Sequence, residues 1–457
     1  MNKEYAKNLE KIFYPSSIAI VGASCKPNSV GQGLLRNVLE GQGLRKLFAI
    51  NPFQQDVCGT PTYPTLLDVK EDIDLVIIAV PAKAVPEIID QCCTKKVGGV
   101  IIISAGFAET GTEGKKLQAD IAKQLNKANI PMIGPNCLGI INPHSNLNAS
   151  FAPATPKKGE IAFVSQSGAI IDSIIDIGLT ENFGFSKIIS LGNMADLDLV
   201  EFLEILEKDD ETKVIALYVE GLSDGRKFME VAKRITKKKP IIVIKAGKSE
   251  LTKKAVSTHT GSLAGDYQIY QTAFKQAGII ETDSVIEMFD IAKALSWQPQ
   301  IKNGVAIVTN GGGCGILAVD YCDQEGVKLI DLTTATIKKI DKSGLMNPAW
   351  SHRNPADILG DAGPERYQIA VESLLEQKDI NGVLVIQTLQ IMTNPIENAK
   401  FIIEAKNKFK DKAIVCSFVG GKLTRASMDL LEENKIPNYI DPHRAVRALK
   451  FLIHPVK

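Results

Sequence analysis

The chain has 457 residues, of which 45% are hydrophobic and 23% charged, an ordinary composition for a globular protein of about three domains. Its net charge of +1 argues against a broad electrostatic attraction to nucleic acid or to an anionic membrane surface. The amino-terminal segment mixes Lys and Glu without an apolar core, and no apolar run approaches the roughly 20 residues of a membrane span, so we expect neither a secretory signal nor a membrane segment.

Apolar strands alternate with helical segments along the first third of the chain. The strands are predicted at 18–22, 47–51, 75–80, 100–104 and 130–134. Continuous apolar strands separated by helices predict a parallel sheet that is covered on both faces. The segment 143–160, rich in Pro, Asn, Ala and Ser, breaks this rhythm, and we expect the first domain boundary there.

The same alternation returns twice more along the chain. A second set of strands is predicted at 161–165, 187–191, 214–221 and 241–247, and a third set starts at 304 and continues at 327–331, 382–388, 413–421 and 437–440. The segment 296–304 separates these two sets. The sequence therefore predicts an α/β protein of three doubly wound domains, over residues 1–145, 155–298 and 300–457.

The eight cysteines are scattered among strands and turns and contain no C-x-x-C pair. This spacing suits neither a zinc site nor a dense disulfide framework. We interpret them as reduced, mostly buried thiols of a cytoplasmic protein, and we expect no metal site in the chain.

The first predicted strand runs into a glycine-rich turn, where Gly22, Gly31 and Gly33 would let backbone N–H groups approach a phosphate. The spacing is not G-x-G-x-x-G. Asn51 and Pro52 end the second strand, where a dinucleotide-binding fold carries an acidic residue. A nicotinamide-dependent dehydrogenase is therefore disfavoured, and the glycines taken alone are equally compatible with tight turns that bind nothing.

Three further strand ends, at 80–82, 104–109 and 134–139, fall at the carboxyl edge of the same predicted sheet, where ligands bind in open α/β folds. Their turns carry exposed backbone groups together with Ser104, Asn136 and Cys137. We expect the Cys137 thiol to act as a small buried apolar group rather than as a nucleophile.

Turns in the second domain also collect at one edge. The turns are SQSG (165–168), SLGN (190–193), YVEG (218–221) and THTG (258–261). A helix that starts with Ser and Gly is a ready anion site, because its first N–H groups are unpaired. The alternative for the first turn is an ordinary helix cap by Ser165 or Ser167.

His259 stands among Ser, Thr and Gly residues in the segment STHTGSLAGD, residues 257–266. A carboxylate at Glu220 could accept a hydrogen bond from the imidazole, fix its tautomer and leave the other nitrogen nucleophilic. A histidine that takes up a phosphoryl group in one place and delivers it in another needs a mobile segment, which Gly261 and Gly265 would allow. The alternative is a surface loop with an incidental histidine.

Taken together, these motifs resemble the α subunit of the ADP-forming acetyl-CoA synthetase (acetate–CoA ligase) family, a relative of the succinyl-CoA synthetase α chain. The motifs are VGAS (21–24), INP (50–52), VPA (80–82), SAGFAETG (104–111), GPNCLG (134–139), SQSGA (165–169), SLGNMADLD (190–198), YVEG (218–221), KAGKSE (245–250), HTGSLAGD (259–266), TNGGGCG (309–315) and NPADILGDA (354–362). The resemblance implies a Rossmann-like CoA-binding domain followed by two flavodoxin-like domains. It also implies the reversible reaction acyl-CoA + ADP + phosphate ⇌ carboxylic acid + CoA + ATP.

The resemblance also implies roles for particular residues. His259 would carry the phosphoryl group, and Glu220 would orient it. The phosphate-binding residues would be Ser165, Gln166, Ser167 and Gly168. The CoA-binding residues would be Gly22, Ala23, Ser24, Val30, Gly31, Asn51, Pro52, Val80, Pro81, Ser104, Ala105, Gly106, Asn136 and Cys137. The substrate pocket would include Gly192 and Asn193.

The chain contains neither a P-loop of the form G-x-x-x-x-G-K-[ST] nor a second long segment that could form an ATP-grasp module. We therefore expect ADP or ATP and Mg²⁺ on a separate β subunit with an ATP-grasp domain, in a complex with two copies of each chain. The alternative is a CoA-binding regulatory protein without catalysis, which the Glu220 and His259 pair disfavours. The preferred carboxylic acid stays open, with acetate as the family default.

Overall fold

The computed structural model describes residues 3–41, 43–249, 251–252 and 266–453. The chain forms two compact units. The first unit spans Met1–Thr180 and Gly184–Glu281, and the second spans Glu181–Phe183 and Thr282–Lys457. The three domain ranges predicted from the sequence stay a prediction.

The elements alternate along the chain as an α/β fold requires. The helices are α1 (Lys3–Phe13), α2 (Val30–Leu39), α3 (Val85–Lys95), α4 (Thr112–Lys127), α5 (Gly168–Thr180), α6 (Leu199–Lys208), α7 (Gly225–Ile235), α8 (Tyr267–Ala277), α9 (Val285–Trp297), α10 (Gly312–Glu325), α11 (Thr334–Lys342), α12 (Pro364–Glu376), α13 (Pro395–Lys408), α14 (Arg425–Glu433) and α15 (Pro442–Ile453). The strands are β1 (Ser17–Val21), β2 (Lys46–Ile50), β3 (Asp56–Val57), β4 (Thr60–Tyr63), β5 (Leu75–Ile78), β6 (Gly99–Ile102), β7 (Met132–Ile133), β8 (Gly139–Asn142), β9 (Leu147–Ser150), β10 (Lys158–Ser165), β11 (Phe185–Ser190), β12 (Val214–Val219), β13 (Ile241–Lys245), β14 (Ile280–Glu281), β15 (Gly304–Thr309), β16 (Ala356–Asp357), β17 (Ile380–Gln387) and β18 (Ala413–Phe418). None of the helices in the described ranges combines the length and the apolar character needed to cross a bilayer.

The first sheet has the strand order β3-β4-β2-β1-β5-β6-β7. All its pairs are parallel except β3 with β4. Strands β1, β5 and β6 are buried along their whole length, because helices cover both faces of the sheet. Strand β1 pairs with β2 on one side and β5 on the other, so the strand order reverses there. Such a reversal opens a crevice at the carboxyl ends of the strands.

The second sheet has the order β14-β13-β12-β10-β11-β8-β9, and its last two strands form an antiparallel hairpin against β11. The hairpin runs into the segment 143–160, which the sequence predicts to be a break between domains. Its apolar side chains, among them Ile140, Leu147 and Ala149, pack into the core of the first unit, and its polar side chains are buried and hydrogen-bonded. Asn142 donates to the Phe13 carbonyl at 3.2 Å, and Asn148 donates to Thr155 Oγ1 at 2.9 Å. Two strands of four residues each, with apolar and polar side chains mixed, give too short a pattern to be read from the sequence.

The second unit contains a four-stranded parallel sheet in the order β16-β15-β17-β18. The strands predicted at 327–331 and 437–440 were wrong, because each segment makes a single bridge, Val305 with Leu329 and Cys416 with Asn438. Both segments are apolar and lie beside the sheet, but a single bridge does not add a strand to it.

Helix α9 belongs to this second unit. Lys293 on α9 forms a buried ion pair with Glu432 at 2.8 Å. Asp290 on the same helix accepts two hydrogen bonds of 2.7 Å from the Arg444 guanidinium. Paired buried charges of this kind set the register of α9 against α14 and α15.

The expectation that all eight cysteines are reduced is wrong for one pair. Cys25, in the turn after β1, forms a disulfide with Cys58, in the turn between β3 and β4. Both residues are exposed, and their Cα atoms lie 5.6 Å apart, within the usual range for a disulfide. The residues lie 33 positions apart in the sequence, and only the pairing of β1, β2 and β4 brings the two turns together.

Candidate active site

The carboxyl ends of the first two sheets surround one cavity of about 610 Å³ in the first unit. Its volume falls in the range of sites that bind small molecules and cofactors. Many of the residues that line it were predicted to bind CoA or substrate, namely Val30, Val80, Pro81, Ser104, Ala105, Asn136, Cys137, Gly192 and Asn193. The turn that opens α5 adds Gln166 and Gly168. The structure therefore brings these two groups of predicted residues into one site.

Other lining residues were not predicted. They are Ala79, Ile103, Leu138, Phe151, Ala169 and Asp172. Most are apolar residues next to a predicted motif, and the motif itself could have indicated them. Asp172 lies one helical turn after Gly168, so the i, i+4 spacing of a helix was the available signal.

The predicted residues of the first glycine-rich turn do not line this cavity; they shape the crevice beside it. Gly22 has a φ of +93°, and a Cβ atom at Gly31 would lie 2.1 Å from the Gly22 carbonyl oxygen. This close approach of α2 to the turn requires glycine at both positions. Ser24 Oγ accepts from the Lys26 N–H at 3.0 Å, and Asn51 donates to the Ala23 carbonyl at 3.1 Å. The predicted residues outside the cavity lining here are Gly22, Ala23, Ser24, Gly31, Asn51, Pro52 and Gly106.

Two polar side chains in the cavity wall are already used by the fold. The Ser104 hydroxyl donates to the Val80 carbonyl. The Cys137 thiol donates to the Ile102 carbonyl at 3.3 Å, and burial raises the pKa of this thiol to about 12. A thiol with so high a pKa is not a nucleophile near neutral pH, in agreement with the role expected for Cys137.

Asn193 is held in the cavity wall by a carboxylate that the sequence did not single out. Its amide donates to Glu109 at 2.6 Å, and its carbonyl oxygen accepts from Asn136 at 3.3 Å. The other Glu109 oxygen accepts from the Gly106 and Phe107 N–H groups at 2.6 and 3.1 Å. Burial alone would raise the pKa of Glu109, but these hydrogen bonds outweigh it and lower the pKa. Glu109 is therefore an ionised anchor that joins the loops of the first two sheets.

The SQSG turn is built by its own side chains. Ser165 Oγ accepts from the Ser167 N–H at 3.0 Å and donates to the Ser167 carbonyl at 2.8 Å. The Gln166 side chain holds the neighbouring turn, because its oxygen accepts from the Glu220 and Gly221 N–H groups. Its amide donates to the Gly221 carbonyl at 2.9 Å and to Met194 Sδ.

The phosphate-binding roles predicted for Gln166 and Ser165 stay predictions, and the contacts of both side chains give each of them a structural role as well. Every polar atom of the Gln166 side chain has a protein partner, and the buried Ser165 hydroxyl is used within its own turn. Both side chains therefore hold these turns in position. The first backbone N–H groups of α5, which starts at Gly168, are further predicted phosphate contacts.

The second unit repeats this turn. Thr309 Oγ1 accepts from the Gly311 N–H at 3.0 Å, as Ser165 does from Ser167. Asn310 then takes the place of Gln166, accepting from the Thr388 N–H at 2.8 Å and donating to the Thr388 carbonyl at 3.0 Å. In the glycine-rich TNGGGCG motif, the Thr309 hydroxyl therefore closes the turn, the Asn310 side chain holds Thr388 after β17, and α10 begins at Gly312.

Replacing Gln166 with leucine is expected to lower the free energy of unfolding by about 2–4 kcal/mol, because two buried N–H groups lose their acceptor. Chemical denaturation of the first unit measures this change. Gln268→Leu, at an exposed position of α8, is the matched control and should stay within about 0.5 kcal/mol of the original protein. Equal stability of the two variants would show that the clamp on Glu220 is not needed.

Glu220 is buried directly after β12. Its turn contacts Lys245 at the end of β13 and Tyr270 on α8, which come before and after His259 in the chain. Lys245 donates to the Glu220 carbonyl at 2.8 Å, and burial lowers the pKa of Lys245 to about 8. The hydroxyl of Tyr270 accepts from the Leu222 N–H at 3.3 Å. Lys245 also lies 4.6 Å from the centre of the Tyr270 ring, a favourable cation–π distance.

His259 itself lies outside the described residues, as do Gly261 and Gly265. The flanks constrain where it can reach. His259 is seven positions from both Thr252 and Asp266, and seven residues span at most about 25 Å when extended. Lys245 and Tyr270, which contact the Glu220 turn, lie 14 and 11 positions from His259 along the chain, and contact between His259 and Glu220 stays a prediction.

Two sheets whose carboxyl ends meet at one cavity, beside a glycine-rich turn and a helix start, agree with the class of CoA ligases that the sequence resembles. Residues 16–143 match the profile of a CoA binding domain, residues 158–295 a succinyl-CoA ligase like flavodoxin domain, and residues 305–449 a ligase-CoA domain. The chain belongs to the ADP-forming acetate–CoA ligase family, as its relatives show. The resemblance and the fold class predicted from the sequence are confirmed.

The chain is 43% identical to acetate–CoA ligase [ADP-forming] I of Archaeoglobus fulgidus over 97% of its length, but it spans only 63% of that relative. It is 41% identical to acetate–CoA ligase [ADP-forming] II subunit alpha of Pyrococcus furiosus, over 98% of both chains. Among solved structures, an acetyl-coenzyme A synthetase 1 of Candidatus Korarchaeum cryptofilum in complex with phosphate and ADP matches with a TM-score of 0.92. The identity there is 37%, over 97% of this chain and 96% of the other.

Proposed function

We propose that this chain is the α subunit of an ADP-forming acyl-CoA synthetase, with acetyl-CoA as the first substrate to test. The single observation that supports it best is the shared cavity. One wall comes from the predicted CoA-binding edge, and the other comes from the start of α5, whose first N–H groups would stabilise an anion. A thioester and a phosphate can meet in such a cavity.

The first step is attack by a phosphate oxygen on the thioester carbonyl carbon. The carbon–sulfur bond breaks, and CoA and an acyl phosphate result. The backbone N–H groups at the start of α5 would hold the phosphate and offset its charge as the bond forms. Asn193, fixed by Glu109, would contact the acyl group or phosphate from the opposite wall.

The second step is attack by a ring nitrogen of His259 on the phosphorus of the acyl phosphate. The bond between phosphorus and the acyl oxygen breaks, so the carboxylic acid leaves and His259 carries the phosphoryl group. Glu220 would accept a hydrogen bond from the N–H of the other ring nitrogen and stabilise the positive charge that develops on the imidazole. Gln166 and Lys245 hold the backbone of Glu220, from which this carboxylate extends.

The final transfer to ADP is assigned to a β subunit with an ATP-grasp domain, which would also hold Mg²⁺, in a complex with two copies of each chain. The Pyrococcus furiosus relative supports this division, because it is named as a subunit alpha and matches this chain from end to end. Within the described residues, no group of three or more His, Cys, Asp or Glu side chains is placed to hold a metal ion. The cytoplasmic location expected from the sequence stays a prediction.

The test is to incubate the purified chain with acetyl-CoA and radiolabelled phosphate, with and without its co-purified partner. We expect one acid-labile, alkali-stable phosphoryl group per chain and one free CoA thiol released for each group incorporated. Omitting acetyl-CoA should abolish the labelling. Measurable CoA binding without labelling, even with the partner present, would refute catalysis and favour the alternative of a CoA-binding regulatory protein.

A further inference from the structure

Asp172 is the only charged side chain among the described residues that line the cavity. It lies on α5, one turn after Gly168, on the face of the helix that lines the cavity. Its Oδ1 atom is buried and has no hydrogen-bond partner among the described residues. Buried carboxylate oxygens are normally paired, so this one calls for an explanation.

The surroundings favour the protonated form of Asp172. The cavity is proposed to receive phosphate and CoA, both anions, and a second negative charge beside them would be repelled. Burial already raises the pKa of Asp172. Glu109 shows the opposite arrangement in the same part of the molecule, because N–H donors from Gly106, Phe107 and Asn193 hold it ionised.

The proposed first step needs a proton for the sulfur of departing CoA. Most other polar groups of the wall cannot supply it. The Ser104 hydroxyl and the Cys137 thiol donate to backbone carbonyls, and the Cys137 thiol titrates only near pH 12. Asn136, Asn193 and Gln166 carry amides, which do not exchange protons on the timescale of a reaction step. Asp172 is the remaining acid in the described wall.

Building on the proposed function, we propose that Asp172 protonates the sulfur of CoA as the thioester is cleaved by phosphate. The carbon–sulfur bond breaks, the Asp172 O–H proton passes to sulfur, and CoA leaves as the thiol. The carboxylate then regains a proton from the hydrogenphosphate that became the acyl phosphate. In the direction of thioester synthesis, the Asp172 carboxylate removes the thiol proton, and sulfur attacks the acyl phosphate.

The test compares Asp172→Asn with Asp176→Asn in the enzyme purified with its partner subunit. Asp176 lies on the next turn of α5 and is exposed, so the same change there is a matched control. Three quantities are measured for each variant, namely the rate of phosphate-dependent CoA release, the affinity for CoA, and the phosphorylation of the chain from ATP. Phosphorylation from ATP involves no thiol and therefore reports whether the rest of the site is intact.

We expect Asp172→Asn to slow CoA release by at least about 100-fold, the usual scale for loss of a general acid. Its CoA affinity and its phosphorylation from ATP should stay within about threefold of the original enzyme, and Asp176→Asn should change none of the three quantities. In the original enzyme, cleavage should slow as the pH rises through the pKa of Asp172, and synthesis should slow as the pH falls through it. Asp172→Asn should remove that limb of both profiles.

Among the described residues that line the cavity, Cys137 is the other titratable side chain, and Glu109 holds Asn193 of the same wall; both keep their partners in these variants. CoA release within threefold of the original rate in Asp172→Asn would overturn the inference. So would an equal loss of CoA release and of phosphorylation from ATP, or a change of acyl preference with an unchanged pH profile. If the original enzyme does not incorporate phosphate at all, the proposed function fails, an outcome distinct from these three.

Discussion

Replacing His259 with alanine is expected to abolish incorporation of phosphate from acetyl-CoA and to lower the complete reaction by at least about 10⁴-fold, the scale for loss of a covalent nucleophile. Both half-reactions should be lost, since His259 is proposed to take the phosphoryl group from the acyl phosphate and to give it to ADP. Intact mass measurement after incubation with acetyl-CoA and phosphate, and again with ATP and the partner subunit, would show the loss directly.

His443→Ala is the matched control for this substitution. His443 is exposed at the start of α15 in the second unit and has no proposed role. It should leave labelling unchanged, and CoA affinity should be unchanged in both variants, because no predicted CoA-binding residue is touched. If a phosphoryl group were still found on His259→Ala, another residue would have to be the acceptor, and the proposed mechanism would be wrong.

Replacing Glu220 with glutamine is expected to slow phosphoryl transfer to His259 on the order of 10²- to 10³-fold while CoA binding is retained. Glutamine keeps the size of the side chain and its backbone contacts with Gln166 and Lys245. It removes only the negative charge, which would stabilise the developing positive charge on the imidazole and select its tautomer. Rapid-quench measurement of labelled phosphate incorporation gives the rate of this step.

Glu230→Gln, at an exposed position of α7, changes the same functional group outside the site and should leave the rate unchanged. The stability of Glu220→Gln should also be close to that of the original protein, in contrast to Gln166→Leu, which removes the clamp itself. A normal transfer rate in Glu220→Gln would contradict this prediction. The Glu220 carboxylate would then have only a structural role in the turn, and another group would orient His259.

Much of the fold was predictable because its signals are local. Continuous apolar runs such as IAIVG and LVIIAV predicted the inner strands β1 and β5, and turns after them predicted the ligand-binding edge. The hairpin β8–β9 was missed because each of its strands has only four residues, which mix apolar and polar side chains and give no clear alternation. The strands predicted at 327–331 and 437–440 were wrong for the opposite reason, because apolar character alone does not supply a pairing partner.

The candidate site was predictable in outline but not in its supporting contacts. The motifs around Ser104, Asn136 and Gly168 indicated residues that do line the cavity. The use of Gln166 as a clamp and of Glu109 as an anchor depends on contacts between residues 55 and 84 positions apart, so nothing in the neighbouring sequence reveals it. Asp172 stood out only when the structure showed that its buried oxygen has no partner.

The β8–β9 hairpin limits where the chains of two relatives can be joined in a chimera that still folds. The hairpin begins two residues after Cys137 of the cavity wall, and β8 forms the edge pairing of β11 in the next sheet. A crossover inside 143–160, the place that composition suggests, would take β8 and its neighbour β11 from different parents, so the side chains packed along this pair would no longer match. Exchange of CoA-binding modules between relatives should therefore succeed when the whole first unit is inherited as one segment, with the crossover after Glu281.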